Sequence, residues 1–192
     1  MANWETYAKV HANRKPREQL VQAVSLCTTK DSALDLGAGT LVESTYLLEA
    51  GFAHVTAVDS SPQSKEFATH INAENFSLVN ESFNNFTFET NIYDLINAQY
   101  ALPFHGQKDF DIFIDQIIQS LKPEGVFVGQ LFGDRDEWNK PDTKLAFQTK
   151  EEAQKLLSPL ELIEFIEEEK EGTTAAGATK HWHVFHFIAR KS

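Results

Sequence analysis

Ser32-Ala33-Leu34-Asp35-Leu36-Gly37-Ala38-Gly39-Thr40 is an apolar run that ends in an acid and breaks into two glycines. It reads as a buried strand turning sharply into a helix, with Gly37 and Gly39 letting a ligand approach backbone where any side chain would stand in the way. A second run, Val55-Thr56-Ala57-Val58, ends in Asp59, twenty residues after Gly39. A carboxylate at that spacing, at the tip of the next parallel strand, suits the paired hydroxyls of a ribose. The two strand ends together mark a nucleoside-binding site.

The charge of the ligand decides which nucleoside. In the dinucleotide fingerprint the first glycine follows an apolar strand end, and a pyrophosphate sits over the turn at the helix N-terminus. Here Asp35 lies two residues before Gly37, and Val42 stands where the third fingerprint glycine belongs. A carboxylate at that place repels a pyrophosphate and favours a ligand carrying an ammonium and a sulfonium, which is the charge pattern of S-adenosylmethionine.

From Ala33 to Asp59 the chain resembles motifs I and II of the class I S-adenosylmethionine-dependent methyltransferases, with Leu41 where the usual motif I has a third glycine. The layout, with a short helical segment ahead of the first strand, is similar to small bacterial members that include the tellurite-resistance type. The resemblance implies S-adenosylmethionine as cofactor. It also implies an α/β, Rossmann-like doubly wound sheet of seven strands, parallel except for an antiparallel C-terminal hairpin. Residues 1–192 then form one methyltransferase domain, with 1–29 as an N-terminal helical lid in which Tyr7 and Arg14 close over the cofactor or simply cover the surface.

The pattern along the chain agrees. Trp4, Tyr7 and Val10 follow helical spacing, and Pro16 opens a second helix carrying Leu20, Val21 and Val24. Beyond the glycine turn, helices are expected over 42–50, from Ser61-Pro62 to about Ile71, over 110–121 and over 150–157. Strands are expected over 76–79, 92–98 and 126–132, and then over 160–168 and 181–190, joined by a loop from Gly172 to Thr179. Strands alternating with helices imply a parallel sheet covered on both faces.

Composition fits one enzyme-sized core. The 192 residues are 42% hydrophobic with 15 Phe, and Cys27 is the one cysteine, which excludes an intrachain disulfide and a cysteine metal cluster. Twenty-eight acids against 17 Lys and Arg give a formal charge of -11, which opposes attraction to a phosphate backbone, so a small-molecule substrate is expected and nucleic acid is not. No apolar run approaches the ~20 residues of a membrane span, and residues 1–15 lack a signal-peptide core, so a cytoplasmic enzyme is expected. The run Glu167 to Glu169 with Glu171 reads as a solvated strand end.

Ligands of open parallel sheets bind outside the carboxyl ends of the strands. That rule adds Ala38, Thr40 and Ser60 beside the glycine turn and Asp59. By resemblance, Ser82 and Phe83 after the third strand hold the adenine, although Phe83 also suits a core position. Asn97, Ala98, Gln99 and Tyr100 after the fourth lie between cofactor and acceptor. Asn97 and Tyr100 match the ends of the Asn-Pro-Pro-Tyr motif of amino methyltransferases, but both prolines are missing, which counts against adenine-base or glutamine-amide methylation.

Methyl transfer requires alignment more than acid–base chemistry. Tyr100, Arg135 and His183 are the candidate catalytic residues, with His105 a further candidate base. Arg135 either binds an anionic acceptor or pairs with its flanking acids. Trp138 is a candidate pocket wall. His181 and His183 share a strand face, as two metal-binding imidazoles would, but no third ligand accompanies them, and no metal is expected. Two other functions fit the same turn: a non-catalytic module that binds S-adenosylmethionine or S-adenosylhomocysteine, and an NAD-dependent oxidoreductase.

Overall fold

The computed structural model describes residues 14–174 and 177–192. The expected first helix around Trp4 and Tyr7 lies outside them. Seven strands form one sheet in the order β3-β2-β1-β4-β5-β7-β6. They are β1 Ser32–Leu36, β2 His54–Val58, β3 Phe76–Val79, β4 Tyr93–Ala98, β5 Leu121–Phe132, β6 Glu161–Thr173 and β7 Thr179–Arg190. β1 to β5 run parallel to their neighbours, while β7 pairs antiparallel with both β5 and β6. The helices are α1 Glu18–Leu26, α2 Val42–Glu49, α3 Pro62–Ala68, α4 Phe110–Ser120 and α5 Lys150–Leu157.

Alternation along each strand builds two cores. Leu34, Leu36, Ile96 and Phe127 pack with Phe113, Ile114 and Ile117 of α4 and Leu157 of α5. Ala33, Leu95, Val126 and Val128 face the other way, against Leu20, Ala23 and Val24 of α1 and Leu47 of α2. α1 is therefore a covering helix of the sheet, and of the expected lid Arg14 and Arg17, ahead of α1, are the described residues that line the recess at the strand ends. Between β3 and β4 the crossover has no helix. Phe83, Phe86 and Phe88 fill that place, with Phe83 stacked 5.4 Å from Phe113 and Phe88 edge-on to it at 5.9 Å.

The hairpin is longer than expected. β6 continues through the acidic run, so Glu167, Glu168, Glu169 and Glu171 stand along the open edge of the sheet rather than at a strand end. Charge on an edge strand discourages pairing with another chain. β5 likewise begins at Leu121 rather than at Val126, so Lys122-Pro123-Glu124-Gly125 is already the head of the strand.

Candidate active site

Strand order reverses between β1 and β4, and a cleft of about 710 Å³ opens at the carboxyl ends there. Its floor is the glycine turn. Gly37 has φ +68° and Gly39 φ +53°, and Leu41 also lies in the left-handed region at φ 60°. Leu41 thus takes the backbone conformation that a glycine would adopt freely. Its side chain compensates by burial, 1% exposed among Ala38, Ala57 and Phe67. A Cβ on Gly37 would stand 2.5 Å from the Cβ of Ala101, so the turn and the segment after β4 touch at a place with no room for a side chain.

Asp59 lines the cleft and fastens its floor. One carboxylate oxygen accepts the Gly39 N–H at 2.9 Å; the other accepts the Ser61 N–H at 2.8 Å and the Ser61 hydroxyl. Asn80 donates to the carbonyls of Asp59 and Ser61, both at 2.8 Å, which ties the end of β3 to the same loop. Ser60, Ser82 and Phe83 line this half of the cleft.

Asp35 sits behind the turn, 1% exposed. The parallel register places Asn97 of β4 beside it, so Asn97 Nδ2 donates to one oxygen at 2.7 Å and Ser44 of α2 donates to the other at 2.6 Å. Burial, then the charge of Glu43, raise the Asp35 carboxyl from its ordinary value to about 7. Its charge therefore acts through a wall rather than by direct exposure to the cleft. Glu43, 5% exposed in the first turn of α2, is the nearer acid: Oε2 pairs with Arg14, and Oε1 has no hydrogen-bond partner among the described residues, with Arg17 Nε 3.9 Å away. Together with Ala38, Thr40 and Gln99, these residues enclose a small polar recess next to the cleft.

Amides continue inward from Asn97. Gln99 Nε2 donates to Asn97 Oδ1 at 2.9 Å, Gln130 of β5 donates to Gln99 Oε1 at 3.4 Å and to Gln19 Oε1 at 2.7 Å, and Gln19 donates to Glu164 at 3.2 Å. Gln130 Oε1 accepts the N–H of Tyr100 at 2.9 Å and so holds a residue whose φ is 56°. Gln130 is the one polar residue in the apolar run from Val126 to Phe132, which is the signal in the sequence that points to it.

Every expected cofactor residue except Ala98 lines the cleft or the recess; the Ala98 side chain is buried in the core below. Tyr100 lines the cleft, with the Arg17 guanidinium 4.7 Å over its ring. The two other catalytic candidates are corrected by the structure. Trp182 and Val184 line the cleft, so alternation turns His183 to the opposite face of β7, where it is fully buried. Arg135 is on that same far face, pairing with Glu167 at 2.7 Å and Glu169 at 2.8 Å. It is an ion-pair residue, as the alternative reading held, although its main partners come from β6. His181 spans Glu169 and Glu171 on this face, and its hydrogen bonds to them, Glu169 first, raise its pKa. His105 stacks on Phe113 at 4.2 Å. Among the described residues no group of three or more His, Cys, Asp or Glu is placed to hold a metal, and no helix is long and apolar enough to cross a membrane.

The recess and the cleft fit S-adenosylmethionine. Two buried acids beside the glycine turn, one with an oxygen that accepts no hydrogen bond among the described residues, suit a cationic amino acid end and oppose a pyrophosphate. Comparisons with known proteins agree. Residues 33–125 match the family model described as a methyltransferase domain. No curated protein sequence matches the chain. Among solved structures, TehB from Haemophilus influenzae superposes with a TM-score of 0.77 at 20% identity, covering 97% of this chain and 66% of that one, so the chain spans just under two thirds of its length. A methyltransferase from Methanosarcina mazei has a TM-score of 0.66 at 19% identity over 93% of this chain and 99% of that one. The Burkholderia thailandensis 1,6-didemethyltoxoflavin-N1-methyltransferase, solved with its substrate and S-adenosylhomocysteine, has 0.62 at 20% identity over 91% and 79%. The likeness to a methyltransferase domain is thus carried by residues 33–125, and the fold as a whole is similar in layout to TehB.

Proposed function

We propose that the protein moves a methyl group from S-adenosylmethionine directly onto a small-molecule acceptor, by in-line displacement within the cleft. The observation that carries this is a cleft with two unlike halves joined at Tyr100, one lined by Asp59, Ser82 and Phe83 and the other by Phe132, Trp138 and Trp182. When bound, the cofactor supplies a methyl group already made electrophilic by its sulfonium. The chain has to hold the two reactants in line and keep water out, and alignment alone contributes several kcal/mol. Asp59 binds the ribose hydroxyls, Phe83 and Ser82 bracket the adenine, and Glu43 with Asp35 behind it receives the ammonium. Arg14 and Arg17 approach the same recess as partners for the carboxylate. Tyr100 borders both compartments and is the residue placed to orient the acceptor.

S-adenosylhomocysteine is expected to raise the melting temperature and NAD is not; a ligand at a hundred times its dissociation constant stabilises by about 2.7 kcal/mol. Stabilisation by NAD alone would remove the methyltransferase assignment. Transfer of label from methyl-labelled cofactor to components of a cell extract then separates an enzyme from a binding module.

The raised Asp35 pKa gives a second expectation. The native chain keeps this proton between about pH 4 and 7, where the unfolded chain has lost it, so the unliganded protein loses stability as pH rises through that window and levels off above it. A ligand ammonium favours the ionised form. Calorimetry should therefore show affinity for S-adenosylhomocysteine rising from about pH 6 to 8 while adenosine affinity stays level, and Asp35→Asn should flatten the rise. Equal losses for both ligands in the variant would mean that Asp35 only shapes the turn.

A further inference from the structure

Beyond Tyr100 the cleft is walled by rings. Phe104 comes from a 3₁₀ turn over Leu102–His105, Phe132 from the end of β5, Trp138 from the following loop and Trp182 from β7. Phe132 and Trp182 meet edge-on at 5.8 Å, Trp138 and Trp182 at a tilt at 5.4 Å, and Tyr100 meets Trp182 edge-on at 6.3 Å. These are the mutual arrangements that aromatic quadrupoles favour.

The wall is also fixed from behind. The Lys180 ammonium lies 3.8 Å from the Trp182 ring centre and 3.9 Å from that of Trp138, and it pairs with Asp136. The same carboxylate accepts the backbone N–H of Trp138 at 2.9 Å and of His183 at 3.2 Å. Lys180 is 2% exposed and Asp136 3%. A buried ion pair thus clamps both indoles in place before a ligand arrives, which lowers the ordering cost of binding a rigid partner.

That construction selects by charge as well as shape. The protein's own ammonium, neutralised by Asp136, already takes up the attraction of both indoles for a cation, so the cage is not left vacant for a cationic acceptor. The cations at the rim are engaged: Lys170 pairs with Glu168 at 2.8 Å, and Arg17 lies over Tyr100. A small hydrated oxyanion would exchange its water for ring carbons, which is unfavourable.

We infer that the acceptor is a planar aromatic molecule with its nucleophilic oxygen or nitrogen on the ring or at its edge, seated against Trp138 and Trp182 and met by Tyr100. The inference rests on the methyltransferase reading. A lone pair of that atom forms the bond to the methyl carbon as the carbon–sulfur bond breaks, its electrons returning to sulfur as the thioether of S-adenosylhomocysteine. The acceptor's proton, where it has one, leaves to solvent.

The test is calorimetry on protein saturated with S-adenosylhomocysteine, followed by turnover with S-adenosylmethionine. The probes are a panel of bicyclic phenols and amino-heteroaromatics headed by 7-hydroxycoumarin and 2-aminoquinoline, set against sarcosine and sodium tellurite. Panel members should bind and turn over where the two non-aromatic probes do not. Trp138→Leu should weaken the best of them at least tenfold while S-adenosylhomocysteine affinity stays within twofold, and Trp138→Phe should restore most of the loss. Intact S-adenosylhomocysteine binding, combined with turnover of sarcosine or tellurite, with no panel member bound, or with aromatic binding indifferent to Trp138→Leu, would overturn the acceptor class alone. Failure to bind S-adenosylhomocysteine in the wild type would overturn the methyltransferase reading, and the acceptor class with it.

Discussion

Gly37→Ala is expected to abolish measurable S-adenosylhomocysteine binding and to lower the stability of the chain by about 2–5 kcal/mol. Two costs add. A side chain at φ +68° costs roughly 1–2 kcal/mol, because the left-handed region brings Cβ against the carbonyl. The added methyl would also stand 2.5 Å from the Ala101 Cβ, which has no rotamer by which to retreat, so β1's turn and the segment after β4 must part; overpacking of this kind costs typically 1–3 kcal/mol. Binding suffers more than folding does, since the parting occurs on the floor of the cleft. Gly51→Ala is the control, with φ +90° and nothing within 4 Å of its added Cβ. Urea denaturation of both variants checks the stability difference and calorimetry the binding. Gly37→Ala behaving like Gly51→Ala would show that the contact with Ala101 relaxes without consequence.

Asp59→Ala should follow closely in size. If the carboxylate receives both ribose hydroxyls, each charge-assisted bond lost costs about 1.5–3 kcal/mol, so S-adenosylhomocysteine affinity should fall at least a hundredfold. The Gly39 and Ser61 amides lose their acceptor as well, so a smaller drop in stability accompanies the loss. Comparing adenosine with adenine in wild type and variant isolates the ribose contribution: adenosine should lose its advantage over adenine. A folded variant that still prefers adenosine as strongly as wild type would take Asp59 out of the ribose site.

The parts of this site that were legible in the sequence are those where backbone must do something unusual near a ligand. Gly37, Gly39 and Asp59 announce themselves because a strand end, a left-handed turn and a carboxylate at fixed spacing leave few other readings. The C-terminal hairpin shows the limit. Period-two alternation correctly separates His181 and His183 from Trp182, but alternation names two faces without saying which one meets the cleft. That is decided by β7 pairing between β5 and β6, a long-range fact. His183 has suitable chemistry but lies on the far face, while Trp182 between the two histidines lines the pocket. Leu41 is a different case: its sequence departs from the glycine expected there, yet its backbone does not, because core packing outweighs a local cost of about 1–2 kcal/mol. Glu43 carried a weaker signal, an acid in the first turn of α2 that is ordinarily read as a helix-end charge.

The line of amides through Gln130 has a direction. Each end terminates on a carboxyl oxygen that accepts, Asp35 Oδ1 at one side and Glu164 Oε1 at the other. Every amide between must therefore turn its NH₂ outward, toward the nearer end, and the two orientations have to meet somewhere. They meet at Gln130, whose two N–H bonds serve both branches while its oxygen is left for Tyr100. Glutamate at this position would be isosteric but would face both branches as an acceptor against acceptors. Polarity, not size, makes residue 130 irreplaceable by its acid, and it makes the orientation of Tyr100 at the mouth of the acceptor pocket depend on a pattern of dipoles anchored on opposite sides of the sheet.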